Sequence, residues 1–230
     1  MASPTVITGI SSMATRQVLA ELAADYERAS GVKLAMESVG GVDAAKRVAA
    51  GEGFDVVMLA ADAIDKLIAA GHVAPDRIDL VRSPVAIAVK AGAPRPGIDS
   101  EAAVKQAALA ARSLSYSTGP SGTHLVKLFE RWGIAEQIKD KLVQAPPGVP
   151  VGTLVARGDV ELGFQQLSEL MHLEGVDVVG LLPSEIAFIT TFSAAIGAHT
   201  AQAGAVRAML AYLTSPDAAA AKRRHGMEPA

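Results

Sequence analysis

Glycine and hydroxyl side chains stand at four places where a strand pattern gives way to a helix pattern: Gly9–Met13, Gly40–Asp43, Gly119–His124 and Gly148–Gly152. The first backbone N–H groups of a helix have no partner within the helix and carry a partial positive charge. Glycine lets a ligand approach the backbone, and a hydroxyl adds a donor, so such a loop suits a small anion. Any one serine here could be an ordinary helix cap. Four loops of the same design favour an anion-binding site.

Two arginines and a histidine follow these loops. The pattern predicts Arg16 within the first turn or so after Ser12, Arg47 within the first turn or so after Asp43, and His124 just inside a helix. A planar guanidinium pairs bidentately with a carboxylate, so these three side chains near one site would suit a di- or tricarboxylate. The alternative is that each arginine is a solvated helix residue paired with surface carboxylates, which contributes little.

The elements that must position these residues alternate between strand and helix. This alternation predicts an α/β fold, a parallel sheet with crossover helices, in which ligands bind at the carboxyl ends of the strands. The predicted strands include Thr5–Thr8, Val32–Val39, Phe54–Leu59, Leu114–Ser117, Leu162–Gln165 and Val176–Leu181, and the predicted helices Met13–Ser30, Asp43–Ala50, Ala63–Ala70, Gly122–Trp132, Val151–Arg157 and Ala201–Leu213.

Two longer β runs interrupt this alternation. Val81–Val89 contains Pro84, which weakens the middle of a strand, and Ile186–Ile196 is the second run. We expect the first to leave one lobe for another and the second to return. Lobe one is therefore predicted to be residues 1–82 plus 190–230, and lobe two residues 83–189.

Composition excludes several classes of function. Aromatic residues are only 4% of the 230, the formal net charge is −3 and no basic tract stands out, so nucleic acid is not an expected partner. The absence of cysteine excludes disulfides and thiolate catalysis, and no histidine has metal-ligand spacing. No catalytic triad, P-loop or dinucleotide motif occurs, so neither a cofactor nor a metal is expected.

The sequence predicts neither membrane insertion nor a signal peptide. No apolar run reaches transmembrane length. The start, Met1-Ala2-Ser3-Pro4, lacks the basic and apolar segments of a signal peptide. We interpret it as a mature periplasmic chain whose signal has been replaced by an initiator methionine.

Several segments together resemble the molybdate-binding-protein-like branch of the type II periplasmic solute-binding proteins. They are Thr8-Gly9-Ile10-Ser11-Ser12-Met13, Val39-Gly40-Gly41, Phe54-Asp55-Val56-Val57, Arg82-Ser83-Pro84-Val85-Ala86-Ile87-Ala88-Val89 and the ending Gly226-Met227-Glu228-Pro229. The similarity covers essentially the whole chain. It implies two α/β lobes joined by two crossover strands, a ligand cleft between them that closes by a hinge, and a monomer that delivers its ligand to an ABC transporter permease.

The resemblance also assigns candidate site residues. The first-loop hydroxyl of the family falls on Ser12 or Ser11, next to Met13, and the second hydroxyl falls on Gly40 or Gly41. The family's tyrosine falls on Gln165 or Gln166. The backbone donors of lobe two fall near Ser121-Gly122-Thr123 and near Pro150-Val151. Glycine in place of a hydroxyl and glutamine in place of tyrosine weaken the case for molybdate.

These observations favour a periplasmic receptor for a small anion, with a polycarboxylate such as aconitate or citrate preferred over a tetrahedral oxyanion. The alternative on the same scaffold is the aconitate isomerase-like branch. An isomerase that moves the double bond of a propene tricarboxylate needs an anion clamp and one poised acid/base. His124 is the candidate, because a histidine at a helix N-terminus tends to stay neutral.

Overall fold

The computed structural model describes residues 5–146 and 148–230, so the interpreted mature start, Met1–Pro4, lies outside the described residues. By their internal contacts the residues form two compact units, Met1–Arg82 with Thr191–Ala230, and Ser83–Thr190. The boundaries fall within two strands, Ile78–Lys90 and Ile189–Ile196. We call these parts unit one and unit two.

Strands and helices alternate along most of the chain. The strands are β1 Val6–Ser12, β2 Lys33–Val39, β3 Val56–Ala60, β4 Ile78–Lys90, β5 Leu114–Tyr116, β6 Leu142–Gln144, β7 Leu162–Gln166, β8 Val176–Leu181, β9 Ile189–Ile196 and β10 Glu228–Pro229. The α-helices are α1 Arg16–Ser30, α2 Gly41–Ala49, α3 Ala61–Ala69, α4 Glu101–Ala110, α5 Pro120–Arg131, α6 Ala135–Ile138, α7 Val151–Arg157, α8 Leu167–Leu170, α9 Ala203–Leu213 and α10 Ala219–Arg224. Within the described residues, every helix is too short or too polar to span a bilayer.

In unit one, β1 lies between β2 and β3 and runs parallel to both. Strand β9 pairs antiparallel with β3, and β10 pairs antiparallel with the first part of β4. All five residues of β3 are buried, as predicted for a strand covered on both faces. Apolar side chains pack on both faces of this sheet, one cluster with α1 and α9 and another with α2 and α3.

In unit two, β5 lies between β6 and β7 and runs parallel to both. The second part of β4 pairs antiparallel with β7 on one side and with β8 on the other. The core on one face includes Leu125, Phe129 and Phe164, and a smaller cluster around Val151 and Val155 packs α7 on the sheet. Both units therefore contain three parallel strands, and the α/β fold class is confirmed.

Two predictions about the strands need correction. Most of the predicted loop Gly9–Met13 is strand, because β1 continues to Ser12. Gly9 pairs with Met36 and Val56, and a Cβ at Gly9 would lie 2.4 Å from the Met36 sulfur. Glycine is needed there for strand packing and not for a ligand. Pro84 does not interrupt β4, which runs through it for 13 residues.

Candidate functional site

The candidate residues of unit one lie at the carboxyl ends of β1 and β2. The hydroxyl oxygen of Ser12 caps the following 3-10 turn, accepting a hydrogen bond from the N–H of Ala14 at 3.3 Å. Its own hydroxyl hydrogen is not used in that bond. A Cβ at Gly41, the first residue of α2, would lie 3.6 Å from the Ser12 oxygen, so the two loops adjoin. Ser12 and the start of α2, after Gly40, therefore present donors at one edge of the sheet.

The neighbouring serine is used inside the sheet. Ser11 is fully buried, and its hydroxyl oxygen lies 2.8 Å from that of Ser38, its partner in the register of β1 and β2. Of the two serines assigned to the first-loop hydroxyl, Ser12 is thus the better candidate. Ser38 was not predicted as a candidate. It is the hydroxyl nearest the end of β2, two residues before the Gly40 on which the resemblance placed a hydroxyl.

Arg16 and Arg47 have different environments. Arg16 is the exposed first residue of α1, joined to Ser12 by the short turn Met13–Thr15. Within residues 5–146 and 148–230, Arg16 has no recorded ion pair. An arginine without a carboxylate partner in this part of the chain remains available for an anionic ligand.

The predicted place of Arg47 in the first turn is wrong. Helix α2 starts at Gly41 and not at Asp43, so Arg47 lies in its last turn, about 9 Å along the axis from the first residue. Its guanidinium donates to the Glu37 carboxylate at 2.6 and 2.9 Å and to Glu52 at 2.6 Å, and it lies over the ring of Phe54. Two carboxylates already neutralise this arginine, so it is a poor candidate for ligand binding.

In unit two, the loop after β5 leads into α5. A Cβ at Gly122 would lie 1.7 Å from the carbonyl oxygen of Ser117, so only glycine fits the close packing of this helix start. Ser121 is buried, with its hydroxyl oxygen 3.1 Å from that of Ser117. The N–H of Thr123 already donates to Gly119. Because the helix opens with Pro120, its first N–H groups without a partner inside the helix are those of Ser121 and Gly122.

A buried glutamine connects β7 to the start of α7. The Gln165 side chain is 2% exposed, and its Oε1 accepts a hydrogen bond from the N–H of Gly152 at 3.1 Å. Its Nε2 donates to Glu169 at 2.8 Å. The amide of Gln166 instead lies 2.7 Å from the hydroxyl of Thr190. Of these two glutamines, Gln165 is therefore the one that contacts α7. This helix begins at Val151, and the predicted Pro150 is its N-cap.

Glu169 was not predicted as a site residue. It lies in α8, directly after β7, and the residue remains partly exposed. Burial of the carboxyl raises its pKa to about 7, and the hydrogen bond from Gln165 only partly offsets this effect. The sequence signal was a glutamate four residues after Gln165, at the carboxyl end of a parallel strand.

His124 lies on α5 with its ring stacked on Phe188, at 4.3 Å between centroids and 15° between planes. Burial lowers its pKa, and a hydrogen bond with the backbone of Ile186 opposes that effect only in part. This lowering favours the neutral imidazole over the imidazolium. Its Nε2 is buried and has no hydrogen-bond partner in the part of the chain that the structure describes.

Unit one also has a cavity of about 210 Å³ that contains none of the predicted site residues. It is lined by Thr8, Asp55, His72 and Thr200, among others, and Asp55 accepts hydrogen bonds from Thr8, Thr200 and Gln202. These bonds lower the pKa of the Asp55 carboxyl. The cavity lies near the beginning of β3, whereas the anion loops follow the strand ends. We interpret it as packing around the segment that follows β9.

A family model covers nearly the whole chain. Residues 7–228 match the model of the bacterial extracellular solute-binding proteins, and the chain belongs to that family. This membership confirms the resemblance to the bacterial solute-binding proteins.

One curated relative, an aconitate isomerase from a Pseudomonas species, is 42% identical over 98% of this chain and 88% of its own length. Among solved structures, the periplasmic molybdate-binding protein of Azotobacter vinelandii superimposes with a TM-score of 0.80 at 18% identity, covering 96% of this chain and 98% of its own. PEB3 with L-phospholactate bound gives 0.75 at 14% identity, over 97% and 100% of the chains. At these identities the two structures establish the fold alone.

Proposed function

We propose that this protein binds a propene tricarboxylate of the aconitate type and moves its double bond by proton transfer. The 42% identity to a protein named aconitate isomerase, extending over 98% of the chain, carries this proposal. It reverses the order of preference that the sequence alone suggested, in which a receptor came first.

The side chains at the carboxyl ends of the strands favour a carboxylate ligand over a tetrahedral oxyanion. Arg16 is exposed and without an ion pair among the described residues, and a guanidinium matches a carboxylate bidentately. Ser12 and the first N–H groups of α2 and α5 add neutral donors. Within unit one, Arg16, Ser12 and the start of α2 offer donors to the carboxylates of such a ligand.

The reaction asks little of the protein besides charge neutralisation and one proton carrier. A proton leaves the CH₂ group, which lies beside a carboxylate, and a proton returns at the other end of the allylic system. Neutral His124 could serve as the base, but its ring is stacked on Phe188 and hydrogen bonded to the backbone of Ile186.

A second candidate is a periplasmic receptor that passes the same anion to an ABC transporter permease. The membership in the extracellular solute-binding proteins favours this function, as do structural neighbours from a molybdenum and a tungstate ABC transporter. The isomerase and the receptor would bind the same class of ligand at the same residues, and only the isomerase would convert it.

Two measurements separate these candidates. Thermal shifts with molybdate, tungstate, sulfate, citrate and both aconitate isomers report the ligand, and we expect the largest shift with an aconitate isomer. A shift with molybdate alone would exclude the carboxylate ligand. NMR of trans-aconitate with a thousandth of an equivalent of protein then reports turnover. Binding of aconitate without its conversion would exclude the isomerase function and support the receptor function.

A further inference from the structure

We propose that the carboxyl group of Glu169 is the acid/base that removes and returns the allylic proton. This inference rests on the proposed isomerase function and names the residue that performs it. It replaces His124 in that role.

The position of Glu169 is the first argument. The residue follows β7, whose carboxyl end lies at the same sheet edge as the end of β5, because the two strands are parallel. A Cβ at Gly152, in the first turn of α7, would lie 3.8 Å from the backbone oxygen of Glu169. Ligands of open α/β sheets bind at this edge. Glu169 is thus placed beside the first turn of α7, at this edge of the sheet.

The fixed orientation of the carboxyl is the second argument. Gln165 donates to Oε1 of Glu169 while its own carbonyl accepts from Gly152, so the amide is held at both ends. An acid/base must be held in place by a neighbour that itself has little freedom. Oε1 is oriented by this bond, and no other hydrogen bond or ion pair of the carboxyl is recorded within the described residues.

The proton affinity of the carboxyl agrees with this role. A group that takes up and releases a proton works best when its pKa is near the working pH. Burial raises the pKa of Glu169 to about 7, and Gln165 is the one side chain that acts against this. Helix α8 packs against β7, β8 and α7, whose titratable residues are Asp177 and Arg157; neither contributes to the shift, and Asp177 accepts from the N–H of Gly92.

The step balances without any further reactant. The C–H bond of the CH₂ group breaks, its proton goes to the Glu169 carboxylate, and its electron pair forms the new double bond to the central carbon. The electron pair of the old double bond takes the proton back from Glu169 at the other terminal carbon. The carboxyl returns to its ionised state, so a single residue completes the cycle.

His124 fits the same role less well. Its ring packs against Phe188 and its Nε2 is buried, whereas Glu169 is partly exposed at the sheet edge. The His124 ring packs on Phe188 and hydrogen bonds to the backbone of Ile186, so it stabilises the segment that precedes β9. We therefore expect substitution of His124 to change stability more than chemistry.

The test is turnover of trans-aconitate by NMR in Glu169→Gln, with Glu174→Gln as the matched control. Glu174 is an exposed glutamate in the same unit. We expect Glu169→Gln to lower kcat by about 100-fold or more, the contribution typical of a general acid/base, with KM and the aconitate-induced thermal shift little changed. Glu174→Gln should leave all three unchanged. In D₂O, the variant should also lose exchange of the CH₂ protons.

Each outcome has a distinct meaning. Turnover in Glu169→Gln within about threefold of the parent protein would overturn the role of Glu169 and leave the isomerase function standing. Absence of turnover in the parent protein would overturn both. Should Glu169→Gln fail to fold, Glu169→Asp withdraws the carboxyl by one methylene, and its kcat should fall at least tenfold. An unchanged kcat in Glu169→Asp would then contradict the proposal.

Discussion

The carboxyl edges of the two units contain the same kind of loop but different side-chain chemistry. Unit one presents the hydroxyl of Ser12 and the exposed cation Arg16, which has no ion pair with any residue that the structure describes. Unit two presents a buried amide, Gln165, hydrogen bonded to the titratable carboxyl of Glu169. Helix N-termini suit anions in both. Under the proposed function, unit one contributes charge neutralisation and unit two contributes the group that exchanges a proton.

Glycine substitutions give the largest expected contrast between the two edges. A Cβ at Gly122 would lie 1.7 Å from the carbonyl oxygen of Ser117, and backbone cannot move away cheaply. We expect Gly122→Ala to lower the free energy of unfolding by about 3 kcal/mol, at the upper end of overpacking effects. Urea denaturation measures this change.

Gly41→Ala is the matched control from unit one. Its Cβ would meet only the side chain of Ser12, at 3.6 Å and 3.8 Å, which is ordinary contact. The free energy of unfolding should therefore stay the same or rise by about 0.4–1 kcal/mol. The thermal shift with aconitate should fall, because the new methyl group covers the approach to the backbone. Equal destabilisation by both substitutions would contradict the packing role assigned to Gly122.

The sequence predicted the elements better than the details of the site. Helix α7 and strand β8 have the predicted bounds, because glycine ends the one and an apolar run defines the other. Helix α4 was not predicted, since its alanine-rich pattern has no clear apolar face. The N-cap Ser100 was the remaining signal for it.

The site details that were missed depend on side-chain partners far apart in sequence. Arg16 and Arg47 looked equivalent, each a few residues after an anion loop. Only the fold brings Glu37 against Arg47, ten residues away on another element. Similarly, burial raises the pKa of Glu169 and the hydrogen bond from Gln165 on β7 opposes it, and the fold sets both effects. Loop composition located the candidate edges of the sheets, whereas pairing and burial decide which titratable groups remain available there.

The two arginines provide the next largest contrast. We expect Arg16→Ala to weaken aconitate binding by about 1.5–3 kcal/mol, the cost of losing a charge-assisted hydrogen bond, which is roughly 10- to 100-fold in Kd. Arg47→Ala should leave Kd within about twofold, because its guanidinium is already paired with Glu37 and Glu52. Isothermal titration calorimetry measures both. If Arg47→Ala weakened aconitate binding more than twofold, Arg47 would belong to the binding site. The two arginines would then not differ in the way proposed.

Gln165 tests whether the buried amide of unit two is needed for stability. Gln165→Met keeps the volume but leaves the N–H of Gly152 and the carboxyl of Glu169 without this partner. We expect the free energy of unfolding to fall by about 1–2 kcal/mol, the cost of unsatisfied buried groups. Gln137→Met, at an exposed glutamine of the same unit, should change it by less than about 0.5 kcal/mol. Comparable losses in the two variants would show that the amide network contributes nothing.

The smallest expected effect is the pH dependence that Glu169 gives to unfolding. Its pKa is raised in the folded state, from about 4.5 to about 7, so the folded protein holds this proton over a range in which the unfolded chain has released it. The free energy of unfolding therefore falls as pH rises from about 4.5 to about 7. Above pH 7 the loss is complete, because the carboxyl is then ionised in both the folded and the unfolded chain.

Glu169→Gln does not titrate, so its stability relative to the parent protein isolates this contribution. The difference between the two free energies of unfolding should move in favour of the variant by on the order of 1 kcal/mol between pH 5 and pH 8, less than the full linkage value because the residue is partly exposed. Urea denaturation at several pH values measures it, with Glu174→Gln as the control that should show no such trend. A difference that stays constant across this range would mean that Glu169 ionises at its ordinary pKa, and the contrast between a charge-neutralising edge and a proton-exchanging edge would lose its physical basis.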